Sequence, residues 1–198
     1  MIRKLSIALL LATLFSCAGS YKTINPERLA YGTSRSTEGA EYATITNVLS
    51  ETGNKKYANR ELKRPLKLYA VKFTNKSDRT INFRNDVKIS MGSRPVFPLE
   101  STVIHQSLKQ PAGLYMLWGL LWVFITTCEN DDCSSIPLPV GLVIGIGNTS
   151  VASSSNKKFL SELNNTNLLD RTIGPGETVT GLLGVSGDVA GPISFEIK

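Results

Sequence analysis

The chain has 198 residues, 22 of them basic and 16 acidic, for a formal net charge of +6. So mild an excess, spread along the sequence, excludes the dense basic footprint of a nucleic-acid-binding domain, and the length is enough for one domain with a real core. Charged residues are only 19% of the chain while Ser, Thr, Asn and Gly are frequent, a balance that fits a β-rich exported protein better than a helical bundle.

The first element is an address rather than a fold. Arg3 and Lys4 precede an apolar run from Leu5 to Phe15. At about 1.5 Å per helical residue this run cannot cross about 30 Å of hydrocarbon, and it suits the apolar region of a secretory signal. It ends Leu14-Phe15-Ser16-Cys17, which resembles the lipobox of bacterial lipoproteins: an aliphatic residue three before the cysteine, a small one just before it. The resemblance implies a signal peptide at 1–16 and a covalent lipid on Cys17, with membrane lipid as partner. The alternative is an uncleaved anchor, or an ordinary signal with a chance cysteine. Two or more acyl chains anchor a protein stably where one does not. Ala18 follows the cysteine, with no Asp to suggest inner-membrane retention, so the outer membrane is the expected address.

Residues 17–39 read as a lipidated tether: small and polar, with Pro26 and no apolar period. Tyr21 to Pro26 is the one stretch suited to lie along the domain instead. From residue 40 the pattern turns to strands. Glu41 to Leu49 is rich in Thr, Ile and Val, and Asn54 to Arg64 predicts a short basic helix ending before Pro65. Lys55, Lys56, Arg60, Lys63, Arg64 and Lys67 form the one notable charge run, read either as a solvated face or as a contact for anionic lipid head groups. Leu66 to Thr74 is the clearest strand, with Tyr69, Val71 and Phe73 on one face by the period of two. Asn75 to Asp78 is a turn cluster, and Ile81/Phe83 and Val87/Ile89/Met91 alternate with polar neighbours. Short alternating strands between turns predict an antiparallel β-sandwich, and the strand-turn-strand segment Phe73-Thr74-Asn75-Lys76-Ser77-Asp78-Arg79-Thr80-Ile81 resembles immunoglobulin-like exported domains, a fold analogy that implies no function.

Residues 106–156 break that pattern. No charge occurs from Gln110 to Cys128, and Ile136 to Gly147 is a second apolar run. The expectation is a helical hairpin inserted into the sandwich. One reading has it enter the bilayer, with Tyr115, Trp118 and Trp122 as candidate membrane contacts and Gly141 and Gly145 as a close-packing pair. The other has both runs buried, as a helix or strand pair packed over the sandwich. Pro137 and Pro139 confine any second helix to a start near Val140. Between the runs, Cys128 and Cys133 flank an acidic stretch. In an oxidising compartment the pair is a candidate disulfide, with free thiols or a metal site as the alternatives. Lys157 to Leu163 predicts a short helix. Thr178 to Val185 and Ile193 to Lys198 predict two closing strands around the Gly174-Pro175-Gly176-Glu177 turn.

Chemistry-bearing motifs are sparse. The single histidine, His105, reads as structural near a strand end. Gly145-Ile146-Gly147 lacks the third glycine of a dinucleotide turn. Glu100, Asp170 and Glu177 cannot be placed relative to one another from sequence, so a carboxylate pair for glycoside hydrolysis stays open but unsupported. No catalytic residue, metal site or non-lipid cofactor is expected.

The Cys17 lipobox, Tyr21–Pro26, Leu68-Tyr69-Ala70-Val71-Lys72-Phe73-Thr74-Asn75, Pro139-Val140-Gly141-Leu142-Val143-Ile144-Gly145 and Ser154-Ser155-Asn156-Lys157-Lys158-Phe159 together resemble uncharacterised exported lipoproteins of the Bacteroidota type. The resemblance runs over most of the mature chain and implies location rather than activity. The resulting organisation is a signal peptide at 1–16, a tether at 17–39, and a single sandwich domain at 40–198 interrupted by the apolar insertion 106–156. The leading expectation is a non-enzymatic, lipid-anchored protein with a structural or interaction role at the envelope, with other envelope proteins as candidate partners. The alternatives are a binding module whose 110–147 segment takes a lipid or other hydrophobic ligand, and an enzyme of unrecognised type.

Overall fold

A computed structural model describes residues 17–129, 132–187 and 191–198. The expected export signal at 1–16 lies outside the described residues. The described residues divide into two compact units, one of 17–20 with 110–129 and 132–155, the other of 21–109 with 156–187 and 191–198.

In the larger unit the chain forms β1 (Arg35–Thr37), β2 (Ala40–Ile45), α1 (Val48–Glu51), α2 (Lys55–Glu61), β3 (Leu66–Asn75) and β4 (Ile81–Asn82). It continues with α3 (Phe83–Asp86), β5 (Val87–Met91), β6 (Arg94–Pro95), β7 (Pro98–Leu99) and α4 (Ser101–Leu108). The smaller unit supplies β8 (Val123–Glu129), β9 (Asp132–Leu138) and the start of α5 (Val140–Asn165), whose residues from Asn156 belong to the larger unit. The larger unit closes with β10 (Thr172–Ile173), β11 (Thr178–Ser186) and β12 (Ile193–Ile197). All ladder pairings between strands are antiparallel.

Strand β3 organises the larger unit. It pairs with β2 on one side and along its whole length with β11 on the other, in a sheet of order β1-β2-β3-β11-β7. Its side chains alternate as the period of two requires. Tyr69, Val71 and Phe73 face a second sheet, β12-β5-β6, and meet Ile89, Ile193 and Phe195 there. The aromatic rings interlock, with Phe195 edge-on to Tyr42 at 4.9 Å and Phe73 edge-on to Phe83 at 5.3 Å. Leu66, Leu68 and Ala70 face the other way, into a layer of helices holding Leu49, Tyr57, Leu108, Phe159 and Leu163.

The strand-rich antiparallel framework is therefore present, but with 35% helix against 34% strand among the described residues the helical share is as large as the strand share. An immunoglobulin-like sandwich leaves its outer faces to solvent; here the second face of the central sheet is covered by helices. Other local expectations change with it. The strand expected over 41–49 stops at Ile45, because Asn47 turns left-handed (φ 57°) into α1. Phe83 starts a helical turn rather than extending a strand. His105 sits on α4, not at a strand end. Lys157–Leu163 is the last part of a 26-residue helix.

Within the expected 17–39 tether, the Tyr21–Pro26 stretch lies along the domain, the alternative the sequence offered for it. Tyr21, Ile24 and Pro26 are buried, and Arg35–Thr37 forms the edge strand. The buried Glu162 carboxylate fixes this strap. It accepts the Ile24 amide at 2.9 Å, the Asn25 amide at 2.8 Å and the Tyr21 hydroxyl. Bonds to a charged acceptor are the strong ones, and they satisfy backbone donors that would otherwise be buried unpaired. A reciprocal amide pair adds to them, with Asn54 accepting from and donating to the Lys22 backbone at 2.8 Å each.

Two outcomes follow. Glu162→Ala leaves those donors unpaired and is expected to cost about 3 kcal/mol in urea unfolding, with faster hydrogen exchange at the Ile24 and Asn25 amides; unchanged exchange there would contradict the clamp. Glu61 is buried and accepts the Leu68 amide, and burial pushes its carboxyl above the ordinary range. A carboxyl raised by folding stabilises most below its unfolded value, and that contribution is lost as pH rises through the folded value. Glu61→Gln should flatten this part of the stability–pH curve, and a slope that persists would show that another group carries it.

Candidate membrane-contact site

The smaller unit is built inside out. Its buried described residues are Gln110, Gly141, Gly145, Ala152 and Ser155, which are small or polar. Its large apolar side chains are exposed: Leu120 by 78%, Val143 by 73%, Phe124 by 65%, and Leu117, Trp122, Ile136 and Ile146 to lesser degrees. In water such a distribution is unfavourable by roughly 25 cal/mol for every Å² of apolar surface left uncovered. Large apolar side chains exposed in such number within one unit make it the candidate contact surface of the protein.

The local structure explains the inversion. Ala112–Leu120 winds into a 3-10 segment, and Pro139 then delays helix α5 until Val140. The start of α5 lies against the backbone of that segment. A Cβ on Gly141 would fall 1.8 Å from the Trp118 carbonyl, and one on Gly145 would fall 3.0 Å from the Tyr115 carbonyl. The two glycines are thus spent within the unit, letting two backbones meet while side chains point away. The Gly141 amide donates to the Leu121 carbonyl at 3.0 Å and the Thr149 hydroxyl to the Ala112 carbonyl at 3.2 Å.

Between these pieces stands a two-stranded hairpin, β8–β9, in place of the expected helical hairpin. Its base is apolar, Val123 to Ile125 opposite Ile136 to Leu138, and its far half is Thr126, Thr127, Ser134 and Ser135. The Thr126 and Ser135 hydroxyls pair at 2.7 Å. Cys128 and Cys133 stand opposite each other and form a disulfide. A lone two-stranded hairpin is marginal in water, so the crosslink supplies a constraint that neighbouring strands would otherwise give.

The segment following Cys17 is tied to the same unit. The Ala18 amide donates to Asn148 Oδ1 at 2.6 Å. Gln110, only 2% exposed, accepts from the Gly19 amide at 2.9 Å and donates to the Gly19 carbonyl at 2.6 Å. Cys17 itself is exposed and outside the disulfide. Of the aromatic residues read as membrane contacts, Trp122 is exposed, while Tyr115 and Trp118 are half-buried beside α5.

The larger unit carries a separate open groove of about 610 Å³, lined by Tyr21, Glu27, Lys158, Glu162, Arg171 and Thr180 among others. Its central carboxylate, Glu162, is committed to the strap. Burial, then the adjoining carboxylate, pushes the Tyr21 hydroxyl far above its ordinary range, so it serves as a fixed donor. His105 faces Phe159 at 6.2 Å; burial first, then Lys109, lowers its pKa, and its Nε2 is buried without a partner. Glu100 and Asp170 both bind the exposed Arg84 guanidinium, Asp170 at 2.6 Å, and Glu177 accepts from the Gly174 amide at 2.7 Å. These acids hold loops, and no three metal-ligating side chains gather among the described residues.

Glu162 and Gln110 escaped the sequence reading. Glu162 had a signal: it shares the buried helix face of Phe159 and Leu163, where a carboxylate demands partners. Gln110 had none beyond being polar at the head of an apolar run. Comparison with known proteins gives no match to a family model, a curated protein or a solved structure.

Gly→Ala inside a helix ordinarily stabilises by roughly 0.5–1 kcal/mol. At Gly141 the sign should reverse, with a loss of about 1–3 kcal/mol from forced separation of the two backbones, read as a red shift of tryptophan emission and faster exchange in 112–147. A stabilised Gly141→Ala protein would contradict the close approach.

Proposed function

We propose that this protein is an envelope lipoprotein whose smaller unit rests in the bilayer beside a lipid on Cys17 and whose larger unit is a non-enzymatic domain held at the membrane surface for a structural or interaction role. The observation carrying this reading is the inversion of the smaller unit, whose small and polar residues are inside and whose Leu120, Phe124 and Val143 are outside. Hydrocarbon removes the cost that water imposes on such a surface. The hydrogen bonds from Ala18 and Gly19 to Asn148 and Gln110 support the same reading, because they hold the chain after Cys17 on that unit.

The contact is shallow in this account. No described helix is long and apolar enough to cross a membrane, and the open hairpin edges of β8–β9 suit the head-group and upper acyl region, since unpaired backbone is not tolerated in the hydrocarbon centre. Outward-pointing apolar side chains favour a bilayer over a single captured ligand. Export through residues 1–16, acylation of Cys17 and an outer-membrane address complete the proposal.

The test has two stages. Cys17→Ser should abolish incorporation of labelled palmitate yet leave residual vesicle association. Adding Leu120→Asp and Val143→Asp should then reduce vesicle partition by at least about tenfold for each residue, the worth of one buried aliphatic side chain. Palmitate retained by Cys17→Ser, or partition indifferent to both aspartates, would refute it.

A further inference from the structure

We propose a second membrane contact on the larger unit: a cationic surface of Lys22, Lys55, Lys63 and Arg64, with the exposed Leu62, that docks on anionic lipid head groups. It rests on Cys17 bringing the chain to a bilayer, and it adds the chemistry of the lipid that is met there.

Local folding sorts the charges. Between Asn47 and Lys67 the sequence has six basic residues and two acids, Glu51 and Glu61. Glu61 is turned inward onto the Leu68 amide, and Lys67 is turned inward too, its Nζ donating to the Glu61 carbonyl at 3.1 Å. Lys55, Lys63 and Arg64 remain exposed, with Leu62 75% exposed beside them. Among the described residues no ion pair engages Lys22, Lys55, Lys63 or Arg64. Lys63 and Arg64, adjoining the exposed Leu62 at the C-terminal end of α2, with Lys22 and Lys55 at its N-terminal end, complement an anionic surface with an apolar layer beneath it, where the charges meet phosphate and the leucine enters the acyl boundary.

Chain length supplies the proximity. The Asn54–Lys22 amide pair holds the strap at the start of α2, and the Lys22 ammonium lies over Gly53. Lys22 follows Cys17 by five residues, so the backbone keeps the two within about 18 Å. An acyl chain on Cys17 therefore keeps Lys22 within about 18 Å of the lipid attachment point, a tether short enough for the first turn of α2 to reach the layer of about 10 Å in which the surface potential acts.

The experiment uses the full chain carrying Cys17→Ser, so that acylation does not mask partition. It compares vesicles of phosphatidylcholine alone with vesicles of phosphatidylcholine and phosphatidylglycerol in equal parts. Partition should be stronger on the anionic vesicles, and the difference should shrink as salt rises. Lys63→Glu with Arg64→Glu should reduce the anionic-specific gain by at least about 25-fold, at about fivefold for each charge, and leave partition to neutral vesicles unchanged. Lys63→Gln with Arg64→Gln, compared at matched thermal stability, should produce a smaller loss in the same direction. Equal partition to both vesicle types, or an anionic gain unaffected by either pair of substitutions, would overturn the proposal. Failure of the bilayer reading itself would show differently, as no palmitate on the native chain and no binding to neutral vesicles.

Discussion

A strand buried on both faces obliges the protein to build a layer on each side of it, and β3 is such a strand. Every residue from Leu66 to Val71 is buried, as are Phe73 and Asn75. One layer is the β12-β5-β6 sheet; the other is the helical layer that recruits Tyr21 and Ile24 from the N-terminal strap. The end of the strand is secured as firmly as its middle. Asn75 is fully buried, its amide donating to the Arg79 and Ile173 carbonyls and its oxygen accepting from the Ser77 amide and hydroxyl. The strap is thus part of the core, and chain leaving Cys17 has little slack before it is fixed.

Much of the sheet was legible because period-two alternation reports burial directly. Tyr69, Val71 and Phe73 share a face as their spacing requires, and β5, β11 and β12 fall where alternation and the neighbouring turns put them. The second face was harder to read. Leu66, Leu68 and Ala70 are as buried as their neighbours, but interleaved Lys67 and Lys72 mimic a half-exposed strand. Lys67 is a buried cation tied to the Glu61 carbonyl, and only tertiary structure reveals that bond. The helical layer was undercounted for the same reason: α4 and the end of α5 are short buried faces whose polar residues Ser101 and Glu162 are satisfied from distant segments.

The apolar insertion was legible in composition and not in shape. A run without polar interruption carries no period, so helix and strand could not be separated in Gln110–Gly147. The cysteine spacing held the missing clue: four intervening residues set Cys128 opposite Cys133 in a hairpin, with β-branched and hydroxyl residues on both arms. Gly141 and Gly145 were correctly suspected of allowing close approach, but the partner is the neighbouring 3-10 segment. The interior of this unit uses small residues, an amide and a hydroxyl to bring backbones together. That choice leaves its leucines, valines and phenylalanine facing out, the packing logic expected where the surrounding solvent is hydrocarbon.

Both tryptophans of the protein, Trp118 and Trp122, lie in this unit, so intrinsic fluorescence reports on it alone. The most direct test of the account is quenching of that fluorescence in the full chain, purified from its host and reconstituted in vesicles, by lipids brominated at successive depths along the acyl chain. The account predicts blue-shifted emission quenched most strongly by bromines near the head-group end. Emission at the wavelength typical of water, unaffected by bromine at any depth, would show that the inverted unit does not enter the bilayer.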